Sequence, residues 1–168
     1  MGYRITMVMQ KAFPGSHDFK GQVEFEKWVK DRVSDILFPN GEKTYEYYDE
    51  ATGYVTLRND FYELHFYENA LEISTPDKWC SFFGNEEILD EPLLGVFNAV
   101  IDRIKPEDCW FGTDYATIQG PGLEEGIEKW LKALSDEEGE MEEFDFHRLK
   151  AKYDADGDMK KMYHYQKQ

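Results

Sequence analysis

Apolar residues recur along this chain at two periods, and the switches between them mark out its elements. Residues 3–9 are apolar and β-branched enough for an initial strand. A polar loop runs from Lys11 to Gln22, broken at Pro14-Gly15. Phe25, Trp28, Val29, Val33, Ile36 and Leu37 then form one stripe at helical spacing, with Glu24, Lys27, Lys30 and Asp31 between them. Phe38-Pro39-Asn40-Gly41 supplies the proline and glycine that stop this helix.

The period then drops to two. Lys43–Asp49 is tyrosine-rich, Ala51-Thr52-Gly53 turns it, and Tyr54–Arg58 returns to the turn at Asn59-Asp60. Phe61–Tyr67 sets Tyr62, Leu64 and Phe66 against Glu63 and His65. After Glu68-Asn69, Leu71–Thr75 sets Leu71 and Ile73 against Glu72 and Ser74. Such alternation predicts a sheet with one buried and one wet face, and the closely spaced turns predict hairpins.

Pro76-Asp77 closes this meander, and Trp79–Phe83 is a short apolar segment of either type. Leu93, Val96, Phe97, Val100, Ile101 and Ile104 predict a second helix over Leu93–Ile104, with Asp90 or Glu91 as cap and Pro92 in its first turn. Cys109–Phe111 and Tyr115–Ile118 read as a short strand or extended pieces. A third helix over Leu123–Leu134 carries Ile127, Trp130, Leu131 and Leu134. The expected fold is α+β: an antiparallel β-meander of about five strands packed against two or three helices in one domain, residues 1–134. Residues 135–168 form an extension, acidic over Asp136–Asp145 and then basic and tyrosine-rich. It is expected to be partly docked, through Phe144, Phe146, Leu149 and Tyr153, or flexible.

Composition narrows the class. In 168 residues, 41% hydrophobic and 16% aromatic content supports a true core. No apolar run is long enough for a transmembrane helix, and the N-terminus does not read as a signal peptide. Cys80 and Cys109 are the only cysteines, which suits a reducing compartment, so a cytoplasmic protein is expected.

Charge narrows the partners. Nineteen bases against 35 acids give −16, which argues against direct nucleic-acid or anionic-membrane binding and for a basic protein partner. Spread over roughly 8,600 Å², that is one net charge per roughly 540 Å². B-DNA carries about one per 100 Å² of its cylinder, so imitating it would require clustering. The acids do cluster, at Asp136–Asp145 and over residues 42–72. Solvated acidic surface is the plain reading of both, and an interface is the sharper one.

Few motifs carry chemistry. Gly120-Pro121-Gly122-Leu123-Glu124-Glu125-Gly126 resembles a phosphate loop, but Glu124 and Glu125 occupy the turn where phosphate would sit. Asp154-Ala155-Asp156-Gly157-Asp158 starts like a calcium loop, but Met159 stands where its glycine belongs and Tyr165 where its bidentate Glu belongs. His17, His65, His147 and His164 show no metal-ligand spacing, so neither metal nor cofactor is expected. Both cysteines read as buried small hydrophobes.

Two signals remain. Tyr45, Tyr47, Tyr48 and Tyr54, with Tyr62 and Tyr67, exceed what one sheet face can bury. Either both faces are covered, or an acidic, tyrosine-rich surface binds a partner through Tyr45, Glu46, Tyr48, Asp49, Glu50, Tyr54, Glu63 and His65. The leading expectation is therefore a non-enzymatic acidic protein that engages and inhibits a basic partner, as immunity proteins and inhibitors of nucleic-acid enzymes do. The alternative is a small enzyme with a dispersed acid/base site around His65, drawing on Glu63, with Glu46 or Glu72 on adjacent strands and Asp114 or His17 on loops. A cleft holding a perturbed His65 would favour the enzyme, whereas a flat, exposed His65 would dismiss it.

Overall fold

A computed structural model describes residues 4–10, 22–37, 45–49, 54–58, 62–67, 70–78, 86–118, 122–152 and 160–167. The fold is α+β, built on an antiparallel sheet. Its strands are β1 (Arg4–Gln10), β2 (Tyr45–Asp49), β3 (Tyr54–Arg58), β4 (Glu63–Phe66), β5 (Ala70–Lys78), β6 (Cys109–Thr113) and the two-residue β7 (Tyr163–His164). Their order is β2-β3-β4-β5-β1-β6-β7. The meander β2–β5 is thus extended by β1, which lies between β5 and β6.

Register fixes what each face presents. One row of neighbours runs Leu64, Ile73, Met7, Phe111 and Tyr163 across five strands. The next row runs His65, Glu72, Val8, Trp110 and His164. Side chains in adjacent rows point to opposite faces. The first face packs on helices α1 (Gln22–Leu37) and α2 (Glu86–Ile104) through Phe25, Val29, Val33 and Leu37 and through Leu93, Phe97, Val100 and Ile104. Trp28 and Ile36 of the same stripe are only partly buried against this core.

The other face is divided. Over β1 and β6 it is covered by α3 (Asp114–Ile118), a 3₁₀ turn at Leu123–Glu125, and α4 (Ile127–Glu138). Trp130 is fully buried there, edge-on to Trp110 at 6.3 Å, and its Nε1 donates to the Ala116 carbonyl at 3.0 Å. Burying an indole requires such a partner, which makes this contact directional. Over β4 and β5 the same face carries Glu63, His65, Glu72 and Ser74.

The C-terminal residues enter the first core. Phe144, Phe146 and Leu149, on or before α5 (Phe146–Lys152), join Tyr163 and Tyr165 in it. Phe111, Phe144 and Tyr165 form a three-ring cluster with centroids 4.4–5.8 Å apart. The Tyr165 hydroxyl donates to Asn98 Oδ1 on α2 at 2.7 Å, and Lys167 pairs with Asp102 at 2.8 Å.

Three boundaries differ from the sequence expectation. α2 begins at Glu86, upstream of Leu93, so Pro92 lies inside it. It ends where Lys105 takes a left-handed φ of 53° before Pro106. Tyr115–Ile118 is helical, because the chain leaves β6 directly into α3, where the Thr117 hydroxyl donates to the Asp114 carbonyl at 2.9 Å. The third helix starts as a 3₁₀ turn because Gly126, at φ 110°, breaks the path before α4, which runs on to Glu138. Trp79–Phe83, the calcium-like stretch and His17 lie outside the described residues.

Candidate functional site

The polar half of the second face is recessed. β4 contributes Glu63 and His65, two residues apart and so on one side of the strand. β5 contributes Glu72 and Ser74, directly opposite His65 and Glu63. Arg4 enters from the start of β1, Asp114 and Thr117 from α3, and Glu124 from the 3₁₀ turn. Together with Tyr67 they line a cleft of about 350 Å³. Two strands set its floor, and α3 with the 3₁₀ turn raises its wall.

An ordered ion-pair chain runs along the floor. Arg4 Nη1 lies 3.3 Å from Glu63 Oε1, and His65 Nε2 lies 3.4 Å from Glu63 Oε2. The Arg4 backbone N–H donates to Asp114 Oδ1 at 3.0 Å. The hydrogen bond from His65, reinforced by Arg4, lowers the Glu63 carboxyl to about 2. Burial works against a charged His65, but its bond to Glu63 and the charges of Glu72 and Glu63 leave it raised. Asp114 is raised by burial, against the pull of Arg4.

Glu72 is the unusual member. Its residue is only 4% exposed, and burial raises its carboxyl despite the attraction of His65. The Thr117 and Thr6 hydroxyls approach the carboxylate. Both have other acceptors in reach: Thr6 the Ile73 carbonyl at 3.2 Å, Thr117 the Asp114 carbonyl. Oε2 is buried with no hydrogen-bond partner. A buried acceptor left unmet costs about 1–3 kcal/mol, and more when charged.

The residues singled out from sequence divide between two places. Glu63 and His65 sit in the cleft. Tyr45, Glu46, Tyr48 and Asp49 lie on β2 at the end of the sheet, and Tyr54 opens β3 opposite Asp49. Glu50 lies outside the described residues. β3 separates β2 from β4, so the β2 residues lie two strands from Glu63 and His65. Tyr62 packs on the first core and Tyr67 on the second, so these two tyrosines occupy opposite faces. The sequence reading missed Arg4, Ser74 and Thr117 as cleft residues. Arg4 and Thr6 share the β1 parity that opposes Ile5 and Met7, which was the available signal.

The other candidates are structural. Cys109 is buried, and burial pushes its thiol up to about 12, far from a nucleophile. Two amides of the Gly122–Gly126 turn are spent locally, Glu125 N–H on the Gly122 carbonyl at 3.1 Å and Gly126 N–H on that of Leu123 at 3.0 Å. His164 is held between Glu143, 2.6 Å from Nδ1, and Asp108 at Nε2, and these raise it against burial. Among the described residues no group of three or more His, Cys, Asp or Glu is arranged to hold a metal ion. No helix among them is long and apolar enough to cross a membrane. Comparison with protein-family models, curated proteins and solved structures returned no match.

Proposed function

We propose that this chain is an acidic binding protein of the cytoplasm that engages and inhibits a basic protein partner, with the cleft as its point of recognition. The observation that carries the reading is Glu72: a carboxylate buried to 4% exposure, lining an open cleft, with Oε2 unmet. Glu63, Asp114 and Glu124 add negative charge around it, against Arg4 and His65. A donor from a partner would relieve the unmet acceptor at the moment of binding. The net charge of −16 would steer a basic partner toward the complex, with an on-rate that falls as salt rises. A partner that acts on nucleic acid presents such a basic surface, and covering it inhibits.

A second reading has its own support. His65 lies in a cleft rather than on a flat surface, and the carboxyls around it are shifted in opposite directions, Glu63 down and Glu72 and Asp114 up. Divergent carboxyls beside a held histidine are what acid/base catalysis requires.

The test is a quantitative pull-down with the tagged chain at low and high salt, run beside Glu63→Gln. One stoichiometric basic protein, released at high salt and weakened by the substitution, is the expected result. If nothing basic is retained at low salt, the binding reading fails. Turnover screening against metabolites, with His65→Gln as the control, then tests the enzyme.

A further inference from the structure

We infer that the cleft receives a single primary ammonium group, a lysine side chain of the basic partner, seated on Glu72 Oε2. This deepens the binding reading and rests on it. The cations already in the cleft are committed to Glu63: Arg4 at 3.3 Å and His65 at 3.4 Å. Glu72 keeps one buried oxygen without a donor.

One buried oxygen without a donor selects the kind of cation. A guanidinium is a planar fork that matches both oxygens of a carboxylate. The Thr117 and Thr6 hydroxyls already approach the Glu72 carboxylate, and its buried Oε2 is left without a donor. An ammonium is a compact point charge with three donors, so it can seat on one oxygen and turn its other donors elsewhere. A volume of about 350 Å³ is at the small end of ligand pockets and holds one side chain together with several waters. Half-buried Tyr67, on the cleft lining, offers a wall for the aliphatic stem.

Seating a cation there couples to protons. The groups facing Glu72 are His65 and Glu63 from β4, Arg4 from β1, Asp114 from α3 and Glu124 from the turn. Burial raises the Glu72 carboxyl in the empty cleft and the ammonium favours the carboxylate, so binding over the pH range in which Glu72 titrates is accompanied by proton release. His65 acts in the same direction, because losing its proton removes a competing positive charge. Affinity therefore rises with pH.

The probe is n-butylamine, which is the lysine side chain without its backbone, with n-butanol and n-propylguanidine as comparisons. Calorimetry in two buffers of different ionisation enthalpy reads affinity and proton release together. Saturable butylammonium binding that tightens with pH, exceeds both comparisons and weakens at least tenfold in Glu72→Gln is expected. Absence of saturation, or equal binding by Glu72→Gln, overturns the proposal. Far-UV circular dichroism checks the fold of the variant, and Asp114→Asn is the second variant if Glu72→Gln does not fold. The pull-down separates the two readings. A basic partner retained equally by wild type and Glu72→Gln leaves the partner reading standing and rejects the lysine seat. Butylammonium binding lost in Glu72→Gln, with no basic protein retained by wild type, keeps the ammonium seat and overturns the partner as its source.

Discussion

Glu72→Gln should stabilise this protein at alkaline pH and leave it nearly unchanged in acid. Ionised Glu72 is buried, and one of its oxygens is unmet, which costs about 1–3 kcal/mol. Its attraction to His65 across the strand pair offsets about 0.2–1 kcal/mol of this. Burial wins, since the carboxyl is raised in spite of His65. The expected gain is about 1–2 kcal/mol. A carboxyl raised in the folded state contributes stability that is fully present below its unfolded value of about 4.3 and is lost as pH rises through the folded value. Wild type therefore loses stability over that window, and the variant does not. His65, also raised, loses its contribution as pH climbs through its own folded value, and does so earlier in the variant, which lacks the charge of Glu72. The comparison is read as a pH series rising from a reference at about pH 4, below the unfolded value of the carboxyl. Urea unfolding followed by tryptophan fluorescence suits it, because Trp110 and Trp130 are buried. A variant less stable than wild type at high pH, or a difference that does not change with pH, would refute the reasoning. The energetic meaning is that the fold bears the ionised Glu72 carboxylate at a cost.

Two other predictions test the frame around the cleft. In Gly112→Ala, the new methyl would meet Met162 Sδ and lie 2.9 Å from the Lys161 carbonyl, so the segment leading into β7 must shift. Overpacking of this kind should cost about 1–3 kcal/mol in urea unfolding, and an unchanged midpoint would show that the C-terminal segment yields freely. His164 is raised by Glu143 and Asp108, so its stabilisation is full below about pH 6.5 and is lost as pH rises through the folded value. Protection factors of the Tyr165 amide, bonded to the Cys109 carbonyl at 2.9 Å, should fall with pH in wild type but not in His164→Ala. Equal pH dependence in the two proteins would show that protonation of His164 does not stabilise this segment.

Much of the architecture is legible in local pattern. The stripe from Phe25 to Leu37 is a helix because its spacing places apolar groups on one side, and Phe25, Val29, Val33 and Leu37 are indeed buried. The alternation through Leu64, Phe66, Leu71 and Ile73 fixes strand parity, and all four lie in one core. Glu63 and His65 were legible as a pair because residues two apart on a strand share a face. The polar parity of Glu72 and Ser74 was legible as well, but it reads as solvent-facing.

What pattern does not carry is which remote element crosses each face. Glu72 is buried because α3 and the turn at Leu123–Glu125 arch over the strand row it shares with Val8. Arg4 reaches Glu63 because β1 pairs with β5 rather than with its neighbours in sequence. The composition shift after Leu134 is visible in the chain, yet nothing local shows that Phe144, Tyr163 and Tyr165 fill the core beside Phe111. By itself, then, the sequence determined the element types, the parity of each strand and the acidic charge, because these follow from spacing and composition. Only the tertiary structure decided that the polar parity of β4 and β5 becomes a cleft and that one of its carboxylates is buried. Desolvation depends on contacts between segments far apart in the chain, and no local window contains them.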